Sequence, residues 1–537
     1  MFNKIKSSVL SGISYMRKRV SATKLCACIM VLFSLVVTLL IFRNILSFEM
    51  HHAYHADSPL YWTVGRGMLN GLTPYVDMYE NKPIGVFLIS AISFGLTGGT
   101  ILCNIMSCLA AVMITFLPAL ILLNKYKNLK DEISPVRKTA VFLTIMLCGL
   151  IIAVYSESRS WALQVEAIGA AFSVLFICLV AKLKTVQTRG KRVGVTILAA
   201  LAISFAVMFK EPFVLVSVFG ALLFIDNFRE FLKNLLLPCV AGGVFVLIVL
   251  ADGEVLIPYF TIYIKRMFET RLAGESSAFT RAGDLAKIFN DVKDFGAGLI
   301  YILIGFVILA ILWAIYKKRS VASILFFAFK AAAAVFAASF CVGMGGQYYN
   351  HHFIFAVPVY CAFLLFAGEA LFELKPKKTV VRSAVIILWS FVLFISTLSV
   401  GNHFAGDYTD RFNAISKKAE YVDAMLDFYH EDRYQYIGFN GEDVFIGLTK
   451  HSPQGPVFGQ DSDNFQSPDT WFSKKLIEQI NESNIVIVNV FLSPAIDSQI
   501  QFILDTDFTL TPKASYYVPS PLDAHYKIYF RKSKFGI

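Results

Sequence analysis

Four ionisable side chains crowd one polar stretch near the start of the chain: Asp57 in HADSPLYW, then Asp77, Glu80 and Lys82 in GLTPYVDMYENKPIG. A carboxylate within about 3 Å of a hydroxyl can take its proton as that hydroxyl attacks an electrophile. A lysine nearby can steady a departing anion, and preorganised charge of this kind is usually the largest catalytic contribution. Pro74 beside Tyr75 marks a turn that Asp77 is suited to shape. Further along stand Glu166 in ALQVEAIGAAF, Lys210 in AVMFKEPFVLV, and GGQYYNHHFIF, which supplies Tyr349, His351 and His352. Glu166 falls just inside an apolar run, where an acid is costly unless it faces a polar cavity.

The elements that must position these groups are membrane helices. Of 537 residues, 56% are hydrophobic and only 16% charged, and the mean hydropathy is +0.61. A soluble domain carries about a quarter charged residues, so the chain is a polytopic membrane protein. The net charge of +11 sits largely in short loops between apolar runs. That pattern sets orientation and meets anionic headgroups, which argues against a nucleic-acid partner. The nine cysteines lie in or beside apolar segments with no paired metal-binding spacing, and read as small buried hydrophobes.

Eleven apolar runs can span: 25–47, 101–123, 139–155, 162–181, 193–209, 212–226, 234–250, 296–316, 320–342, 352–372 and 380–400. A crossing takes roughly 20 residues. The run 84–97 would reach only about 21 Å. Left out of the count, it lets the basic loops NKYKNLKDEISPVRK, KLKTVQTRGKR, DNFREFLKN, YKKRS and ELKPKKTVVR all face the cytoplasm. The expected organisation is therefore a cytoplasmic N-terminus (1–24) and a transmembrane domain (25–400) with external loops at 48–83 and 251–295. Residues 401–537 then form an external domain, whose alternating strand and helix patterns predict a small α/β unit.

The stretch from Asp57 through YWTVGRGMLNGLTPYVDMYENKPIG resembles the polyprenyl-phosphate-sugar-dependent glycosyltransferases of the GT-C fold. The likeness is to glycosyltransferase family 39, protein O-mannosyltransferases and the aminoarabinose transferases. Glu166, Lys210 and the QYYNHH run fit the family's weaker motifs in order, and the likeness covers about 20 to 400. It implies an inverting transferase on the extracytoplasmic face of the cell membrane, acting on an envelope glycan, glycolipid or protein. Asp57 would be the catalytic base; Lys82, Lys210 and His352 would hold the donor phosphate; Glu80, Glu166 and Tyr349 would contact substrate. No cofactor is implied, since the lipid-linked sugar is a substrate. Ser58 stands where several members carry a second acid, so no metal site is expected there.

Each candidate also has an ordinary structural role. Asp57 could cap a helix, Lys82 could snorkel, and Lys210 could pair with Glu211. Glu157 and Arg159 could be an exposed pair, and the QYYNHH tyrosines an interfacial belt. A zinc site from His351 and His352 is disfavoured because adjacent helical residues point apart. HHAYH at 51–55 lacks an acidic or cysteine partner at suitable spacing. A lipid-linked sugar transporter and a non-catalytic envelope-assembly protein are the rival functions. The polar residues cluster on one face, without the inverted repeats of many transporters.

Overall fold

The computed structural model describes residues 22–52, 57–126, 135–159, 163–271, 285–295, 297–344, 348–373, 409–438, 444–459, 462–489, 492–513, 516, 520–522 and 526–536. Among them, nine helices are long and apolar enough to cross a membrane: Cys28–Met50, Ile101–Tyr126, Arg137–Arg159, Val165–Leu183, Arg189–Phe209, Phe228–Asp252, Leu299–Tyr316, Val321–Gly343 and Asn350–Glu373. Arg137–Arg159, Val165–Leu183 and Asn350–Glu373 are the most buried, while Leu299–Tyr316 and Val321–Gly343 are mostly exposed. In lipid the exposed apolar faces are the solvated ones, so the three buried helices form the bundle's centre. The expected run 380–400 lies outside the described residues.

The expected span at 212–226 takes a modified form. Its helix, Phe213–Leu222, has only ten residues, about 15 Å. The segment nevertheless returns the chain from one end of the bundle to the other. Lys210, before it, pairs with Glu166, and Asp226, after it, pairs with Lys184. Glu166 and Lys184 stand at opposite ends of Val165–Leu183. The short helix leaves carbonyls unpaired inside the bundle, and Lys330 answers them: its Nζ donates to Ile225 O at 2.9 Å and Leu223 O at 3.5 Å.

Two helices of the first loop lie along the Glu166 end. Ser58–Leu69 begins with Pro59 in its first turn, where the missing N–H costs nothing, and stops at Asn70 and Gly71. Ile84–Thr97 follows Pro83. Gly65 lets the two cross, because a Cβ there would lie 2.5 Å from Ser90 Cβ. The Arg66 guanidinium sits 4.7 Å over the Phe94 ring. At its other end, Gly85 abuts the Met208 carbonyl beside Lys210. Ile84–Thr97 thus rests across the bundle's end, as an interfacial helix.

The C-terminal domain packs on this end. Strands β1 (Arg433–Ile437), β2 (Ser452–Pro453), β3 (Ile485–Val488), β4 (Phe508–Thr509) and β5 (Lys527–Arg531) form a sheet in the order β2-β1-β3-β5-β4. β1 is parallel to β2 and β3, while β5 is antiparallel to β3 and β4. β3 is buried throughout, as its unbroken IVIV predicts for a central strand. Helices Thr409–Tyr429, Trp471–Glu482 and Pro494–Asp507 flank the sheet.

Candidate active site

Asp57 precedes the first-loop helix, but its carboxylate makes no capping hydrogen bond. It turns to Lys82 instead, whose Nζ lies 3.0 Å from Oδ2, and accepts a 3.0 Å bond from the Tyr61 hydroxyl one turn on. The Asp57 side chain keeps 38% of its exposure while Lys82 keeps 9%, so the carboxylate is the reachable member of the pair. Lys82 is therefore not a snorkelling lysine; it also lies 5.8 Å from the Tyr61 ring centre. Burial works against ionising Asp57, but Lys82, with His351 and the Tyr61 hydroxyl, holds its carboxyl below the usual carboxylate range. Burial likewise opposes the charge on Lys82, while Asp57, Glu80 and Glu166 hold its pKa above the ordinary lysine value.

A second pair stands beside the first. Lys210 Nζ lies 2.9 Å from Glu166 Oε1, and Gln164 Nε2 donates to Glu166 Oε2 at 2.6 Å. Glu166 is fully buried, which an acid at a helix start tolerates when a cation meets it. Glu211 does not pair with Lys210; it accepts a 2.5 Å bond from Tyr259. Asn350–Ala356 is a 3-10 helix, not an α-helix. It brings the His351 and His352 rings to 4.5 Å between centres. One donor atom from each lies within 4.8 Å of a Glu166 oxygen and of one another. The expected divergence of the two histidines therefore does not keep their ring nitrogens apart: both reach the Glu166 carboxylate. The three donors could hold a cation, although Lys210 already occupies one Glu166 oxygen.

Tyr349 is 44% exposed and stacks on His351 at 5.4 Å. Glu80 is buried and faces Lys82, Tyr61 and Tyr75. Asp77 performs the turn role read from sequence: its Oδ2 accepts from Thr73 N–H at 2.7 Å. Glu157 and Arg159 are not a surface pair. Glu157 is 1% exposed beside Glu49, and Arg159 Nε meets Asp291 at 2.9 Å. The Asp291 contact pins the short helix Leu285–Phe295 over the same end, with the Tyr155 hydroxyl 2.5 Å from Asp291.

Sequence reasoning missed Tyr61, Gln164 and Asp291. Tyr61 was within reach, being one helical turn from Asp57. Asp291 shows no local signal, since its partner is 132 residues away.

The arrangement offers one accessible ionised carboxylate, one buried and one half-buried ammonium group, and two imidazoles at one end of a helical bundle. That set can accept a proton and bind an anion. No protein-family model matches the chain, and no curated protein matches it in sequence. Solved structures do. The crystal structure of ArnT from Cupriavidus metallidurans bound to undecaprenyl phosphate is similar at a TM-score of 0.54 and 12% identity, over 95% of this chain and 98% of that one. The same protein in the apo state gives 0.53 and 12%, over 94% and 98%. At such identity the likeness is one of fold, and it extends over nearly the whole of both chains: this protein has the GT-C fold of ArnT, an aminoarabinose transferase.

Proposed function

We propose that this protein transfers a sugar from a polyprenyl-phosphate carrier to a hydroxyl of an envelope glycan, glycolipid or protein, with inversion, on the extracytoplasmic face of the cell membrane. The observation that carries the reading is the 3.0 Å Asp57–Lys82 pair, set beside Glu166, Lys210 and the two histidines. Asp57 takes the acceptor's proton while the acceptor oxygen forms its bond to the anomeric carbon. The bond from that carbon to the phosphate oxygen breaks, and its electron pair leaves with the polyprenyl phosphate. Lys82, Lys210 and His352 receive the charge that develops there; Glu80, Glu166 and Tyr349 face the sugar or the acceptor.

Lys82 has two tasks in this scheme. Before donor binds, its charge favours the ionised form of Asp57. When phosphate arrives and shares its charge, the carboxylate becomes more basic, just as a base is required. The transition state is oxocarbenium-like by analogy with glycoside hydrolysis.

Purified protein in lipid vesicles, given radiolabelled undecaprenyl-phosphate pentoses and hexoses with envelope extracts, tests the reading. Label should move to an acceptor with inverted anomeric configuration. Label that crosses the bilayer still attached to its carrier would overturn it in favour of transport.

A further inference from the structure

Lys82 is held from two sides. From the bundle, the Tyr75 hydroxyl donates to Lys82 O at 2.9 Å, and the Tyr75 ring packs on Tyr259 and Tyr263. From the other side the hold comes through Tyr79, three residues upstream. Tyr79 is 2% exposed, and it packs with Val457, Phe472 and Leu476 in the apolar cluster of the C-terminal domain. Its ring meets Trp471 at 5.8 Å and Phe472 at 5.4 Å, both edge-on, and its N–H donates to Pro456 O at 2.9 Å.

The neighbouring backbone is equally close. A Cβ on Gly455 would lie 1.6 Å from Asp77 O, so only glycine allows this approach. The helix that follows Asp57 is tied to the same surface. Arg66 Nη1 donates to Leu448 O at 2.7 Å, and Asn70 Nδ2 to Ser452 Oγ at 2.9 Å. The Arg266 guanidinium, from the segment after Tyr263, lies 5.0 Å over the Trp471 ring. Both arms of the first loop, one carrying Asp57 and the other Lys82, are thus clamped on one domain.

We propose that the C-terminal domain is a working part of the donor site: the socket made by Trp471, Phe472 and Pro456 seats Tyr79, and through it positions Lys82 against Asp57. Tyr79 and Trp471 are positioning residues, touching neither substrate nor the reacting atoms. The inference deepens the transferase reading and rests on it. Three residues of chain separate the socket from Lys82, at most about 10 Å, so movement of Tyr79 passes directly to the ammonium. A misplacement of about 1 Å can cost roughly a hundredfold in rate. Lys82, Tyr61 and His351 face Asp57, while Glu80 and Glu166 also face Lys82. When Lys82 withdraws, Asp57 loses its nearest positive charge and protonates at higher pH.

Full-length protein carrying Tyr79→Ala or Trp471→Ala tests this, beside Tyr79→Phe, Trp471→Phe and Phe502→Ala, the last at a site 71% exposed in the same domain. Tyr79→Ala leaves the domain's own sequence intact, which separates loss of the socket contact from loss of the domain's fold. The alanine variants should exchange backbone hydrogens of 74–82 at least tenfold faster and bind undecaprenyl phosphate roughly tenfold more weakly. The acidic limb of their kcat/KM profile should move to higher pH, while the two phenylalanine variants and Phe502→Ala follow wild type. Alanine variants with wild-type exchange and phosphate binding would overturn the proposal. So would a lowered kcat with an unmoved acidic limb. If the exchange and phosphate-binding effects appear in a protein that transfers no sugar, the positioning stands and the transferase reading falls.

Discussion

Lys210 is paired with Glu166, 2.9 Å away across two helices, and not with Glu211, its neighbour in the chain. This one contact ties the start of Val165–Leu183 to the turn before Phe213–Leu222. It also sets a cation beside the two histidines. The same pair therefore serves the bundle's architecture and the proposed anion site, and the two roles can be separated.

Lys210→Met should leave Glu166 buried and uncompensated, which costs about 3–5 kcal/mol when one partner of a buried pair is removed. Adding Glu166→Leu should restore most of the thermal stability, since an apolar pair of similar volume is often neutral. Undecaprenyl-phosphate binding should stay weakened in the double variant. Recovery of binding together with stability would reduce Lys210 to a structural lysine.

The pH dependence of transfer follows from Asp57. Its carboxyl is held below the usual range, so kcat/KM should keep its value down to pH below that range and fall only as Asp57 protonates. Lys82→Gln removes the nearest favourable charge, and the acidic limb of its residual activity should shift upward. Folding stability changes in the same sense. The lowered pKa contributes stability present above the unfolded value and lost as pH falls through the folded one. Thermal melts of wild type and Lys82→Gln, taken from neutral pH down through the carboxylate range, would show the difference narrowing at the acid end.

Arg159 and Asp291 fasten Leu285–Phe295 to the bundle with side chains 14% and 8% exposed. Arg159→Ala should release that helix, with a cost of about 3 kcal/mol. Hydrogen exchange in 285–295 would rise while exchange in Val165–Leu183 stays slow. Equal acceleration of both segments would mean the pair supports the whole bundle.

Thiol labelling tests the arrangement of ends. Thr97→Cys, at the end of the interfacial helix, should react with an impermeant reagent from the same side as Leu72→Cys, and Gln187→Cys from the opposite side. Labelling of the Leu72 and Gln187 positions from one side, with Thr97 labelled from the other, would require Ile84–Thr97 to cross the membrane.

Much of this was legible in sequence because lipid leaves few choices. Long apolar runs must be helices, and basic loops must segregate. The three main strands and the helices near 471–482 and 494–507 were equally visible in their periodicity. Asp57, Lys82, Glu166, Lys210 and His352 do converge at one end of the bundle. The residues that hold them there were not visible. The socket for Tyr79 lies some 400 positions away in sequence, and nothing local marks Trp471 as its wall. The shared approach of His351 and His352 to Glu166 is a matter of side-chain reach, which residue spacing along a helix does not show. The crossing at 212–226 has a helix of only ten residues, completed by Lys184 and Lys330 from other spans.

The most direct measurement is sugar transfer by Asp57→Asn protein, with undecaprenyl-phosphate binding followed in the same preparation. Transfer should fall about a thousandfold, within the range typical of a lost general base. Phosphate binding should be as tight or tighter, because Lys82 loses its competing carboxylate. Near wild-type transfer by Asp57→Asn would contradict the assignment of Asp57 as the base.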